Sequence, residues 1–90
     1  MRSNGDARTM RLESDIKGAL VPGITIDEAE SRLDQLGIAY SFVEKEHELY
    51  GLVPDVKKNW LASESIQIIV SFDDEGQLSD LNIRRTYTGP

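Results

Sequence analysis

The sequence predicts an α+β domain in which two N-terminal helices precede a three-stranded antiparallel sheet ending in a β-hairpin. Three observations carry that expectation. Apolar residues recur at helical spacing ahead of Gly37, and they alternate at strand spacing over Ile38–Val43 and again from Ser65 to Tyr87. Within the last stretch, Asp73-Asp74-Glu75-Gly76 is a turn signal between two alternating runs.

From Asp6 to Leu20, the residues Leu12, Ile16, Ala19 and Leu20 fall at i, i+4, i+7 and i+8, one face of a helix whose end Gly18 weakens. Residues 1–8 are expected to form a flexible leader and residues 9–90 a single domain. Val21-Pro22-Gly23 breaks the helical run, because proline cannot continue it and glycine re-aims the chain. A second helix then opens on a capping box. The Thr25 hydroxyl can accept from the Glu28 amide while the Glu28 carboxylate accepts from the Thr25 amide. Asp27, Glu28 and Glu30 place negative charge at the positive end of the helix dipole, and Ile26, Ala29, Leu33 and Leu36 share one face. Gly37 suits the left-handed residue that closes a helix.

Ile38 to Val43 alternates as a half-buried strand does, with Ile38, Tyr40 and Phe42 on one face and Ala39, Ser41 and Val43 on the other. Between Glu44 and Ser63 the pattern fails. Two readings stay open there: a short helical turn opened by Pro54, with Val56 and Trp60 at i and i+4, or an extended loop.

In the C-terminal hairpin, Ile66, Ile68, Val70 and Phe72 share one face, as do Leu81, Ile83, Arg85 and Tyr87. A four-residue Asp73–Gly76 loop pairs Phe72 with Gln77, Ile68 with Leu81, Ile66 with Ile83 and Glu64 with Arg85. Both apolar rows then meet, whereas a one-residue slip would turn one of them to water. Gly76 supplies the positive φ that such a loop needs.

Composition narrows the function. A chain of 90 residues forms one domain, and at that size it buries roughly 60–65% of its unfolded surface. Sixteen acidic against ten basic residues give a net charge of −6, which repels a phosphate backbone unless the basic residues cluster. Lys57-Lys58 and Arg84-Arg85 are separate pairs, so nucleic acid is not an expected partner. There is no cysteine, hence no disulfide, thiol nucleophile or cysteine zinc site. No apolar run is long enough to span a bilayer, and Met1–Arg11 lacks the apolar core of a secretion signal. Any membrane association is therefore expected only through an anchor that this chain does not carry.

The chemistry-bearing residues are sparse. His47, the single histidine, sits among Glu44, Glu46 and Glu48, but the second histidine four positions on that a zinc helix needs is missing. Asp73-Asp74-Glu75-Gly76 has the carboxylates that calcium prefers without the alternating spacing and distal glutamate of a calcium loop, and turns select Asp and Gly in any case. No nucleophile elbow or glycine-rich phosphate loop occurs. No catalytic residue, cofactor or metal is expected, and a small hydrolase or isomerase built on His47 is the least favoured of three readings.

Protein binding is the favoured one. With the helices covering the Ile38, Tyr40, Phe42, Ile66, Ile68, Val70, Leu81 and Ile83 side of the sheet, the other side shows Ser41, Val43, Gln67, Ile69, Ser71, Asn82, Arg84 and Thr86. Its apolar centre would be Val43 and Ile69, unless the Glu44–Ser63 segment folds over them. Trp60, Tyr50 and Tyr87 are of the type that anchors interfaces, and each also suits a core edge. Val43, Trp60, Ile69 and Arg84 are the expected partner contacts.

Pro22-Gly23-Ile24-Thr25-Ile26-Asp27-Glu28-Ala29, followed by Leu33, Leu36 and Gly37, resembles the helix-opening signature of the small outer-membrane lipoprotein family that includes BamE (SmpA/OmlA). That family, like the β-lactamase-inhibitor-protein fold, sets two helices before an antiparallel sheet. The resemblance implies a bacterial cell-envelope or periplasmic location, although the family's lipidated cysteine has no counterpart here. The combined expectation is a monomeric, non-catalytic binding or scaffolding domain, with the resemblance implying association with the cell envelope. The alternative is an acidic inhibitor or immunity protein that blocks a basic partner site, motivated by small size and net charge.

Overall fold

The computed structural model describes residues 4–58 and 63–88. The chain runs α1 (Asn4–Ala19), α2 (Ile26–Gln35), β1 (Ala39–Val43), a single 3₁₀ turn (Glu44–Glu46), β2 (Glu48–Lys58), β3 (Ser63–Phe72) and β4 (Leu78–Thr88). Helical backbone thus begins at Asn4, inside the stretch expected to be a leader. The strands form one antiparallel meander in the order β1-β2-β3-β4.

The sheet therefore has four strands, which corrects the expected three. The extra strand is β2, drawn from the segment that read as a loop or a Pro54 helical turn. Leu49, Gly51 and Val53 alternate on the inner side of β2, but a glycine in the middle of that row removes the apolar signal. Ideal Cβ placement at Gly51 falls 3.4 Å from Ile38 Cγ2 and 3.5 Å from Ile68 Cβ, so its Cα fills a core position that a side chain would normally mark. Pro54 is accommodated because it lies past the end of the β1 pairing and within the register shift between Val53 and Lys57, where β2 makes no regular ladder with β3.

The hairpin also differs from expectation in its register. Ile68 pairs with Ile83, Ile66 with Arg85, Glu64 with Tyr87 and Val70 with Leu81, two residues from the anticipated partners. One step comes from the loop. Asp73 N–H donates to Gln77 O at 2.9 Å, leaving three residues in the turn, and Asp73 Oδ1 accepts from the amides of Glu75 and Gln77. The second step is a bulge, since Ser71 pairs with Asp80 but Phe72 with Leu78. Two single steps restore parity, so the inward faces are the expected ones. The bulge also lets Leu78 and Leu81, three apart, both turn inward.

Both helices lie on that inner face. Ile16 of α1, Leu20 just past its end, and Ala29 and Leu33 of α2 join Ile38, Leu49, Ile66, Ile68, Val70 and Phe72 in one buried core. The Thr25–Glu28 capping box forms in both directions, at 3.2 and 2.9 Å, and Gly37 adopts φ 73° after α2. Arg32 Nη1 donates to Ala19 O at 2.6 Å, so a side chain of α2 satisfies a carbonyl at the end of α1. The linker between the helices is bound to the sheet: Gly23 N–H donates to Leu78 O at 2.9 Å and Leu78 N–H to Ile24 O at 2.7 Å. Farther along β4, Arg85 Nε donates to Glu13 Oε1 of α1 at 2.6 Å and lies 3.7 Å from the buried Glu64 carboxylate.

Candidate functional site

With both helices on one side, the outer side of the sheet is left uncovered by either. Strand register sets its rows. Val43, Glu48, Ser71 and Asp80 lie across one row, Ser41, Tyr50, Ile69 and Asn82 across the next, and Ala39, Leu52, Gln67 and Arg84 across a third. The structure thus places Val43, Ile69 and Arg84 on the same face. It does not make Val43 and Ile69 neighbours, because β2 passes between their strands and inserts Glu48 and Tyr50. Trp60, the fourth expected contact, lies outside the described residues, as does the side chain of Tyr87.

Leu52, on β2, is the face residue that the sequence does not single out, and Tyr50, one of three candidate anchors by residue type, takes its place in the adjoining row. Leu52 is 49% exposed at the centre of its row, with the half-buried Ile69 and Tyr50 in the adjoining row. The available signal was the alternation of Glu48, Tyr50 and Leu52 opposite Leu49, Gly51 and Val53. Opposite parities along a strand mean opposite faces, once Gly51 is recognised as an inward position.

One end of this face is held by a polar knot. Tyr50 Oη lies 2.5 Å from Glu48 Oε1 and 2.9 Å from Glu46 Oε2, so the single phenolic proton sits between two carboxylates. Ser71 donates to Glu48 Oε2 at 3.2 Å. The Tyr50 hydrogen bond, helped by that of Ser71, holds the Glu48 carboxyl below the ordinary glutamate range. The same carboxylates, Glu48 first and then Glu46, push the Tyr50 phenol well above its ordinary value.

These opposite shifts have opposite consequences for stability. A depressed Glu48 contributes stability above the unfolded carboxyl value of about 4.3, lost as pH falls through the lower folded value. A raised Tyr50 contributes stability that is complete below the unfolded phenol value of about 10, lost as pH rises through the higher folded value. Tyr50→Phe is expected to return the Glu48 carboxyl towards its ordinary range, read by carboxyl carbon NMR against pH, and to remove the latest-ionising tyrosine from the alkaline absorbance titration. An unchanged Glu48 titration in that variant would show that the phenol is not what holds the carboxylate.

A second feature lies at the same end of the sheet. A cavity of about 210 Å³ opens between the 3₁₀ turn, the β3–β4 turn and the start of α2. Phe72, Phe42 and Ile26 are its more buried lining residues, and the two rings meet edge to face with centroids 6.2 Å apart. Glu44, His47, Asp73 and Asp74 are exposed at its rim. His47 adopts φ 53°, a left-handed conformation costly for an L-residue, while its carbonyl accepts from Phe72 N–H at 2.9 Å. The histidine and the acidic turn, separate in sequence, are thus brought to one place. Among the described residues, however, no three His, Cys, Asp or Glu side chains are arranged to hold a metal ion.

No family model matches the sequence, and no curated protein or solved structure matches it either. Among the described residues, no helix is long and apolar enough to cross a membrane.

Proposed function

We propose that this chain is a non-catalytic protein-binding domain whose contact surface is the outer face of the sheet. The observation that carries the reading is the exposure of Leu52, 49%, at the middle of a face that also presents Tyr50, Ile69 and Val43 and is covered by neither helix. An exposed leucine with the half-buried Tyr50 and Ile69 in the adjoining row, Ala39 and Gln67 directly beside it, and Glu48, Asp80 and Arg84 farther out has the arrangement of an interface centre with a polar border. Its polar groups also suit binding. Tyr50, Glu48 and Ser71 are committed to one another, which holds the Tyr50 ring in place as a rigid contact. Association with the cell envelope is carried into this proposal by the Pro22–Ala29 resemblance alone, and fractionation of the native organism tests it: recovery in the cytosol would remove it.

The test of the binding surface compares the wild-type chain with a Leu52→Lys/Ile69→Thr variant as bait in the native organism, followed by affinity measurement on the recovered partner. Threonine keeps the β-branched strand preference while both substitutions remove apolar contact. Affinity is expected to fall by about tenfold or more, as for loss of an interface anchor, with the thermal transition retained. Undiminished binding by a folded variant would move the contact surface elsewhere.

A further inference from the structure

The cavity beside the 3₁₀ turn combines two properties. Its inner lining is apolar, from Phe72, Phe42 and Ile26, and its rim carries three carboxylates, Glu44, Asp73 and Asp74, with His47 beside them. The rim charges are not spent on the protein itself: among the described residues neither Glu44 nor Asp74 has a side-chain partner, and Asp73 uses one oxygen on its own turn. Size limits what can enter. At about 210 Å³ the cavity is smaller than the roughly 300–1,000 Å³ of sites that enclose a drug-sized molecule, and it suits a single long side chain.

We infer that this groove receives an arginine side chain from a basic segment of a protein partner. The side chain's methylene stem would lie against Phe42, Phe72 and Ile26, with its cationic head among Glu44, Asp73 and Asp74. Long basic side chains have this division, an apolar stem with a charge at the tip. The guanidinium is matched to carboxylates because its planar fork can donate to two oxygens at once. The groove is formed by β1, β3, α2 and two turns, independently of the outer sheet face, and stands or falls separately from it.

The probe is acetyl-Gly-Arg-Gly-amide, titrated into the 15N-labelled full chain at physiological ionic strength, where charges beyond about 8 Å are largely screened. The expected result is a set of amide shifts confined to Phe42–His47, Phe72–Gly76 and the start of α2 around Ile26, saturating with a dissociation constant on the order of 1 mM. Replacing arginine by citrulline, which keeps the shape and removes the charge, is expected to weaken binding about tenfold. Glu44→Gln/Asp74→Asn is expected to weaken it by a similar factor. Asp15→Asn/Glu30→Gln makes the same change in net charge on the helices and is expected to leave it unaltered. Absent or scattered shifts, equal response to citrulline, or equal loss in both double variants would each overturn the assignment.

Discussion

Ile68→Ala is expected to destabilise the domain by about 4 kcal/mol, in the upper part of the range for truncating a buried isoleucine. Two facts put it there. Ile68 is fully buried in β3, and its neighbour on β2 is Gly51, which has no side chain to swing into the space left behind. Ile68 Cδ1 lies 3.5 Å from the ideal Cβ position of Gly51, so the isoleucine itself covers that glycine. A chain of this length has total stability of roughly 5–13 kcal/mol, and the variant would retain only a fraction of it. Urea unfolding measures the loss as a fall in midpoint at unchanged slope. A cost below about 2 kcal/mol would mean that the core closes over the gap.

The complementary change, Gly51→Val, is expected to cost about 1–3 kcal/mol despite valine's strand preference, because its γ-carbons have to enter space held by Ile38 and Ile68. Gly51→Ala, whose single Cβ meets those neighbours at 3.4–3.5 Å, is expected to be close to neutral. The decisive measurement is the pair. If Gly51 and Ile68 share one space, Gly51→Val with Ile68→Ala is more stable than the sum of the two losses by about 1 kcal/mol or more, and strict additivity would show that they do not.

The same Gly51–Ile68 pairing explains what could and could not be read from the sequence. Elements whose signals are local were legible: the Thr25–Glu28 box, the Gly37 cap and the inward parity of Ile66, Ile68 and Val70 each depend on residues a few positions apart. Strand β2 was not legible, because its central inward position is a glycine whose partner, Ile68, lies far along the chain. The turn residues were recognised, but not the Ser71/Phe72 bulge, which is stated only by the spacing of Leu78 and Leu81. Of the candidate contacts, Val43, Ile69 and Arg84 fall on one face because parity is a local property. Leu52 and Tyr50 join them only once β2 is known to lie between β1 and β3. The groove depends on the same insertion, since it brings the turn that carries His47 beside the turn that carries Asp73 and Asp74.

The bonds between the helix linker and Leu78 bear on how the molecule avoids aggregation. An open sheet offers unpaired amides and carbonyls along its two outermost strands, a template on which a foreign strand can add. Here one such strand, β1, is only five residues long. The other, β4, has its first residue already paired with Gly23 and Ile24, a bulge immediately after, and Asp80, Arg84 and Arg85 along the remainder. Arg85 points towards α1, where it meets Glu13, an inward charge that an added strand would have to accommodate. A four-stranded sheet with one face covered by neither helix is thus protected along the short β1 and at the start of β4, which disfavours strand addition at those places relative to contact through the face.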